Sequence, residues 1–515
     1  MLNQPHAFIV VAGDEPDVRA AHQMLQSDCR VERDSVQPAA DRLHALDAVR
    51  AFALLIGVAM HVVPPWLKNL PEWNFGETPS NTAAAIWFFP HIFRMPVFFL
   101  IAGYFGRLLA ERYETRKFIK DRAKRIAIPL VITFFLISAL TAAAFALGSL
   151  ASGMSVADLT ALAQARREYV SATAGAVRGG VTLGYLWFLY YLLLFYVVAL
   201  ILRATIRAVD RDGNAMCVID KMLGILMRTG LAAVAFALPV AAWYVFKWHD
   251  WAQWQGLPAP QSIIPSIPAL LAYGLSFAVG WLLHRQSHVL LQLRTRWVVY
   301  SLAAIVLAVA CYLIAGPTPQ WSPHLDGWQL HIYAAAYLMA SWCASFALIG
   351  LALRFLSNAS PVRRYVADSS YWVYLMHPVS IIFFMQLLRP LGWHWSVRFT
   401  ITLAASVLVL LLSYHAFVRF TFIGATLNGR RRPRQSAPED ARTVGVFRDW
   451  TRGFGRTWAS KIRARSHNHS PDTDSADAVS TDSSPGGGAE MPNSGEPAHA
   501  FRGYRPRDDG RFHRD

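Results

Sequence analysis

Charge is scarce in this chain. Only 16% of its 515 residues are Asp, Glu, Lys or Arg, whereas 54% are hydrophobic. That balance excludes an ordinary soluble domain and indicates a polytopic membrane protein. Cysteine is scarce as well: Cys29, Cys217, Cys311 and Cys343 are scattered, with neither a disulfide framework nor a metal-ligand spacing among them, so no metal site is expected. The first 45 residues mix acids and bases without an uninterrupted apolar core. No signal peptide is visible there, and the first apolar span is expected to direct insertion itself. The segments 248–264 and 317–328 contain no Lys or Arg at all.

This last absence decides how the net charge of +16 is read. The basic residues do not form one patch suited to nucleic acid; they alternate along the chain. Arg112, Arg116, Lys117, Lys120, Arg122 and Lys124 crowd between Arg107 and Arg125, and the connections near 203–228, 285–296 and 354–364 are also basic. Cytoplasmic loops are the ones that carry Lys and Arg, so both termini are expected in the cytoplasm with an even number of crossings. Arg166, Arg167 and Arg178 are the exception, in a long external loop where that rule is weak.

Apolar runs of about 20 residues give about ten candidate spans. They lie near 48–67, 84–111, 126–148, 182–203, 229–247, 265–284, 297–316, 329–354, 369–388 and 396–424. The fold class is therefore all-α, a membrane helix bundle, in contact with the lipid bilayer along most of its length. The run 84–111 is interrupted by Pro90 and Pro96, so its first part is expected at the interface, because proline leaves backbone groups without their helical partners. Residues 1–45 read as a polar cytoplasmic extension with a short ordered piece at Phe8–Ala12. Residues 46–428 form the transmembrane domain, and 429–515 a basic, then disordered tail. Within that tail Phe447, Trp450, Phe454, Trp458 and Ile462 recur at helical spacing among arginines, as in a helix lying on the inner leaflet, while Gly453 and Gly455 equally suit a solvated, partly disordered segment.

The chemistry is expected inside the membrane. Arg50 and His61 stand eleven positions apart in the first span. Eleven steps of a helix return to within about 20° of the same face, about 16 Å further along. Asp47 falls on nearly the same side. A carboxylate, a guanidinium and an imidazole on one face of an apolar helix usually line a functional cavity. At the basic mouth of the third span, Arg122 and Arg125 share a helix face and suit phosphate, although arginines at inner helix ends are also ordinary topology signals. At the ninth span Asp368 or Ser369 is positioned to cap a helix. Ser370, Tyr374 and His377 then stack on one face at i, i+4 and i+7. Arg94, with His91 and between two prolines, faces a substrate path or marks the start of the second span. Trp243, Tyr244, Trp248, Trp251, Trp254, Trp321 and Trp328 read as an aromatic belt in preference to sugar-stacking platforms.

Together these elements resemble the acyltransferase-3 family of integral membrane acyltransferases. The likeness is carried by Leu46-Asp47-Ala48-Val49-Arg50 with His61 at an R-x10-H spacing, and by Phe93-Arg94-Met95-Pro96-Val97-Phe98-Phe99-Leu100-Ile101-Ala102-Gly103-Tyr104. It continues through the R-x-x-R pair Arg122 and Arg125, Leu186-Trp187-Phe188-Leu189, and Ser370-Tyr371-Trp372-Val373-Tyr374-Leu375-Met376-His377. It spans about residues 43–425. Ala102 stands where family members often have Ser. The wording around 93–106 and 368–377 is most similar to the branch that includes the succinyltransferase of osmoregulated periplasmic glucans.

The resemblance implies transfer of an acyl group, succinyl or acetyl, from cytoplasmic acyl-coenzyme A to a hydroxyl of an extracytoplasmic glycan or lipid-linked saccharide. It implies a multi-pass protein of the bacterial inner membrane, with no permanently bound cofactor. His61 would act as base, Arg50 and Asp47 would orient the centre or stabilise negative charge, and Arg122 and Arg125 would hold the coenzyme A phosphates. Arg94, Ser370, Tyr374 and His377 would line the substrate path. The competing expectation is a secondary transporter or flippase with Asp47, His61 and His377 as a proton relay.

Overall fold

The computed structural model describes residues 40–70, 77–161, 164 and 182–428. The piece expected at Phe8–Ala12, the arginines Arg166, Arg167 and Arg178, and the amphipathic helix expected beyond 429 lie outside the described residues. Every named element is helical, and one isolated bridge, Thr182 to Ser262, is the extended pairing present among the described residues. Cys311 and Cys343 are free and buried.

The helices are α1 (Ala40–Val62), α2 (Asn81–Arg112), α3 (Thr115–Ala151), α4 (Trp187–Val209), α5 (Asn214–Thr229) and α6 (Ala232–Lys247). They continue with α7 (Ile267–Arg285), α8 (Leu290–Ala315), α9 (Gly327–Phe355), α10 (Pro361–Leu388) and α11 (Trp395–Ser413), and end in the short α12 (Phe422–Asn428). Helices dominate because hydrocarbon offers no partner for a backbone polar group, so each segment must satisfy its own.

Among the described residues, nine helical segments are long and apolar enough to cross a membrane, and α5 with α6, bent by 108° at their junction, form the further case. The packing decides that case. Arg50 reaches Ala367 while His61 touches His377, so α1 and α10 run in the same direction. Phe99 meets Tyr273 and Glu111 meets His284, so α2 and α7 are parallel as well. Both relations require α6 to traverse the bundle; without it α7 and α10 would point the other way. The basic connection read as a loop near 203–228 contains α5, whose Val218, Met222 and Ile225 are exposed on one side while Asp220 pairs with Arg285.

Two sequence expectations change. Pro90 and Pro96 do not break the second span, since α2 is one 32-residue helix, N-capped by the Ser80 side chain. The ninth span starts earlier than its motif suggested. Ser360 caps α10 and Pro361 opens it, which leaves Asp368 and Ser369 inside the helix, not at its cap. Ser followed by Pro is a strong start signal because Pro needs no N–H at the first helical position.

The centre of the bundle is α9, with 78% of its apolar window buried, whereas the windows of α3 and α8 are 11% and 17% buried and face outward. On α1, Phe52 and Leu55 are exposed on the side opposite Arg50 and His61, which turns the polar face inward. Helices α2 and α7 touch backbone to backbone. A Cβ at Gly103 would lie 2.0 Å from the Phe277 carbonyl oxygen, and one at Gly280 would lie 1.8 Å from that of Leu100, so only glycine permits this contact. It fixes α2 rigidly, and with it Arg94.

The end of the bundle opposite the basic connections is closed by aromatic side chains. Trp251 and Trp254 are fully buried and donate to the carbonyls of Gly256 and Gly316; the Tyr244 hydroxyl donates to Pro268. These three are neither belt residues nor open sugar platforms. They are packed inside a cap, because an indole or phenol buried with its polar tip satisfied contributes apolar area at little cost. Trp328, by contrast, is exposed.

Candidate active site

His61 lies in the last turn of α1. Although it ends a helix, it is not near the end of the bundle: the His377 ring that it touches has sixteen residues of α10 before it and eleven after. The two imidazole centroids are 4.8 Å apart with the planes inclined at 43°. Among the described residues His61 makes no hydrogen bond, and it stays half-buried, keeping part of its surface open. Its ring is therefore held between helices without being packed solid.

Arg94 enters from α2. It packs on Gly57, one turn before His61, so closely that a Cβ there would lie 2.9 Å from Arg94 Nη1. Glycine at 57 is therefore a seat for the guanidinium. Arg94 makes no hydrogen bond or ion pair among the described residues, its Nε is buried without a partner, and no carboxylate is close enough to act on it. Its electrostatic neighbours are His61, His91, His377, Tyr273 and Tyr374. A cation enclosed without a counter-charge is costly unless something negative arrives. One turn from Arg94, His91 stacks on Trp87 at 5.7 Å and its Nε2 contacts the Leu257 carbonyl at 3.2 Å, which ties the site to the aromatic cap.

His377 is walled in on its other sides. The Tyr185 ring lies 5.2 Å away and that of Tyr374 6.2 Å. The two tyrosines lock α10 to the start of α4 reciprocally, Tyr374 donating to the Tyr185 carbonyl at 2.8 Å and Tyr185 to that of Leu375 at 2.6 Å. Ser370 is not part of this cluster. Its hydroxyl donates within its own turn, to the Ala367 carbonyl at 2.6 Å.

The basic end of α1 is different. Arg50 contacts Asp47 at 3.4 Å and donates to the Ala367 carbonyl at 2.9 Å. Arg50 lies about three turns and Asp47 about four turns from His61, so the fold does not bring Arg50 or Asp47 to the imidazoles. Nearby, a π turn, Ala123–Ala127, contains Arg125 and begins directly after Arg122, a helical irregularity frequent at functional sites. Pro129 supplies no N–H to the Arg125 carbonyl four residues earlier, and the Tyr371 hydroxyl donates to it instead, at 2.7 Å. Asp121 holds both arginines: it forms ion pairs with Arg122 and with Arg125, whose Nε lies 2.9 Å away. One carboxylate against two guanidiniums leaves a net positive charge there.

A family model described as an acyltransferase domain matches residues 43–417. The chain belongs to the acyltransferase-3 family. It is similar to the glucans biosynthesis protein C of Escherichia coli (strain SMS-3-5 / SECEC), 38% identical over 92 residues, and of Shigella dysenteriae serotype 1, 37% over 93. The protein of the same name from Salmonella paratyphi B is 36% identical over 93 residues. Each match covers 18% of this chain and 24% of the relative, so the chain spans about a quarter of the length of these relatives. No solved structure matches.

The matched segment contains every residue that the sequence singled out as a site candidate. Sequence reasoning missed Gly57 and Tyr185. Gly57 had a usable signal, since a glycine inside an apolar helix on the face of Arg50 and His61 marks a close approach. Tyr185 directly precedes the Leu186-Trp187-Phe188-Leu189 motif, but nothing local marked its ring as a wall of the site.

Proposed function

We propose that this chain is a membrane-embedded O-acyltransferase that moves a succinyl or acetyl group from acyl-coenzyme A in the cytoplasm to a hydroxyl of an extracytoplasmic glycan or lipid-linked saccharide. Family membership supports the acyl transfer, and the glucan in the name of the similar proteins supports the acceptor class. The observation that carries the reading is the pairing of His61 with Arg94 one turn away, the imidazole free of hydrogen bonds and the guanidinium without a counter-charge among the described residues. A base beside a waiting cation is what attack on a thioester needs.

In this reading the basic end of the bundle and both termini lie in the cytoplasm, in a bacterial inner membrane. Arg122 and Arg125 bind coenzyme A phosphates there, and the pantetheine arm runs along α10 toward His377. His61 takes the proton of the acceptor hydroxyl as its oxygen attacks the thioester carbonyl, a step suited to imidazole near neutral pH. Arg94 faces the developing oxyanion. The carbon–sulfur bond breaks, and coenzyme A leaves as the thiol. Arg50 and Asp47 hold α1 against α10 instead of meeting the reacting atoms. A proton relay through Asp47, His61 and His377 loses its first member for the same reason.

The test is purified protein in detergent given labelled acyl-coenzyme A and candidate glycans, read as thiol release and ester formation. The expected result is both in equal amount, lost in His61→Ala. Glycan movement without thiol release, or an active His61→Ala enzyme, overturns the reading. Mass spectrometry of envelope glycans from cells with and without the protein identifies the acceptor.

A further inference from the structure

We infer that His377 is a positioning partner of His61, and that Pro378 is what prepares it. The kinetic part of this inference rests on the acyl-transfer reading; the structural part does not. In a helix the N–H of residue i+4 donates to the carbonyl of residue i. Pro378 has no N–H, so the Tyr374 carbonyl lacks that donor. The His377 side chain supplies it: Nδ1 stands 2.7 Å from the Tyr374 carbonyl oxygen. A carbonyl oxygen only accepts, so Nδ1 carries the hydrogen. In the neutral ring the other nitrogen is then a bare acceptor. That nitrogen, Nε2, is buried and has no hydrogen-bond partner among the described residues.

The groups facing His377 are His61 from α1, Arg94 from α2, Tyr185 from the turn before α4, and Tyr374 on α10 itself. Both tyrosine hydroxyls already donate elsewhere. Arg94 is seated on Gly57. His61 is the donor in ring contact, and it has no other hydrogen bond to give up.

His61 turns one ring N–H to His377 Nε2, and its other nitrogen keeps its lone pair toward the acceptor hydroxyl. As that nitrogen takes the hydroxyl proton, the O–H bond breaks, the oxygen–acyl bond forms and the carbon–sulfur bond breaks. The imidazolium is held by Nε2 until its proton leaves on the thiolate as coenzyme A thiol. The pair works as a carboxylate and histidine do in a hydrolase triad, with a neutral imidazole in the carboxylate's place.

Three variants and one spectrum test this. His377→Leu, which removes the acceptor, should lower kcat about 100-fold with the KM for acyl-coenzyme A within about twofold. His377→Gln, which keeps an oxygen near the Nε2 position, should recover about a tenth of the activity, and Pro378→Ala, which restores a backbone donor to Tyr374, should lower kcat about tenfold. In ¹⁵N spectra of histidine-labelled protein, His377, assigned by its loss in His377→Gln, should be the Nδ1–H tautomer, and Pro378→Ala should mix the two tautomers. Wild-type kcat with an unchanged pH–rate profile in His377→Leu overturns the inference, as does an Nε2–H tautomer in the unaltered protein. If no acyl donor is turned over even by the unaltered protein, the acyl-transfer reading falls, and the spectrum still decides the tautomer.

Discussion

At the basic end of α1 Arg50 is bonded on two sides, to Asp47 and to the Ala367 carbonyl, and Arg122 and Arg125 share Asp121. Three turns along the same helix, among the described residues, His61 has no hydrogen bond, Arg94 has no counter-charge and His377 Nε2 has no donor. Both regions place ionisable groups in a greasy bundle, but they balance them differently. Where the fold supplies the partners, a charge holds helices together. Where the fold leaves partners out, the proposed acyl-transfer reading assigns the missing partner to an incoming substrate, the logic of a preorganised centre.

The largest expected effect breaks the comparison at its deep end. His61→Gln should lower acyl transfer by about 1,000-fold or more, with membrane abundance and melting temperature unchanged, measured by ester formation and thermal shift in detergent. Arg94→Leu should cost about 100-fold in kcat; because it removes an unpaired charge from the bundle, its melting temperature should rise or stay constant. A fall would mean that Arg94 has a structural partner after all. Gly57→Ala sharpens the same point with one methyl group, which meets Arg94 Nη1 at 2.9 Å. It should lower kcat about tenfold by displacing the guanidinium, since small misplacements in a site are expensive.

The shallow end should respond in stability and affinity. Arg50→Ala leaves the Ala367 carbonyl with one donor fewer and should destabilise the protein by about 1–3 kcal/mol, visible as a lower melting temperature that His61→Gln does not share. The smallest effect is expected at Asp121→Asn. Freeing both arginines from their common carboxylate should lower the KM for acyl-coenzyme A about threefold at low salt and less at high salt.

Much of the bundle was legible in the linear pattern. Runs of apolar residues marked the crossings, and the alternation of arginine-rich with arginine-free connections marked their order. The turn chemistry was harder to read: Ser360 and Pro361 start α10 earlier than Asp368 suggested, because a hydrophilic first turn does not register as part of an apolar run. The buried Trp251 and Trp254 were indistinguishable from belt residues, since an indole at that depth has the same composition whether it faces lipid or protein.

Of the site, the residue types and their helix faces were in the sequence itself: His61 and Arg50 on one side of α1, Tyr374 and His377 on one side of α10, and the R-x-x-R pair. Helical periodicity determines a face but carries no information about which helix lies opposite. Only the packing, set by glycine contacts such as Gly103 against α7 and Gly57 against Arg94, decided that His61 meets His377 and Arg94 while Arg50 meets a backbone carbonyl. Partners far apart in the chain are chosen by how the helices pack together, and that choice separates a charge that holds the fold from one left, among the described residues, without a counter-charge.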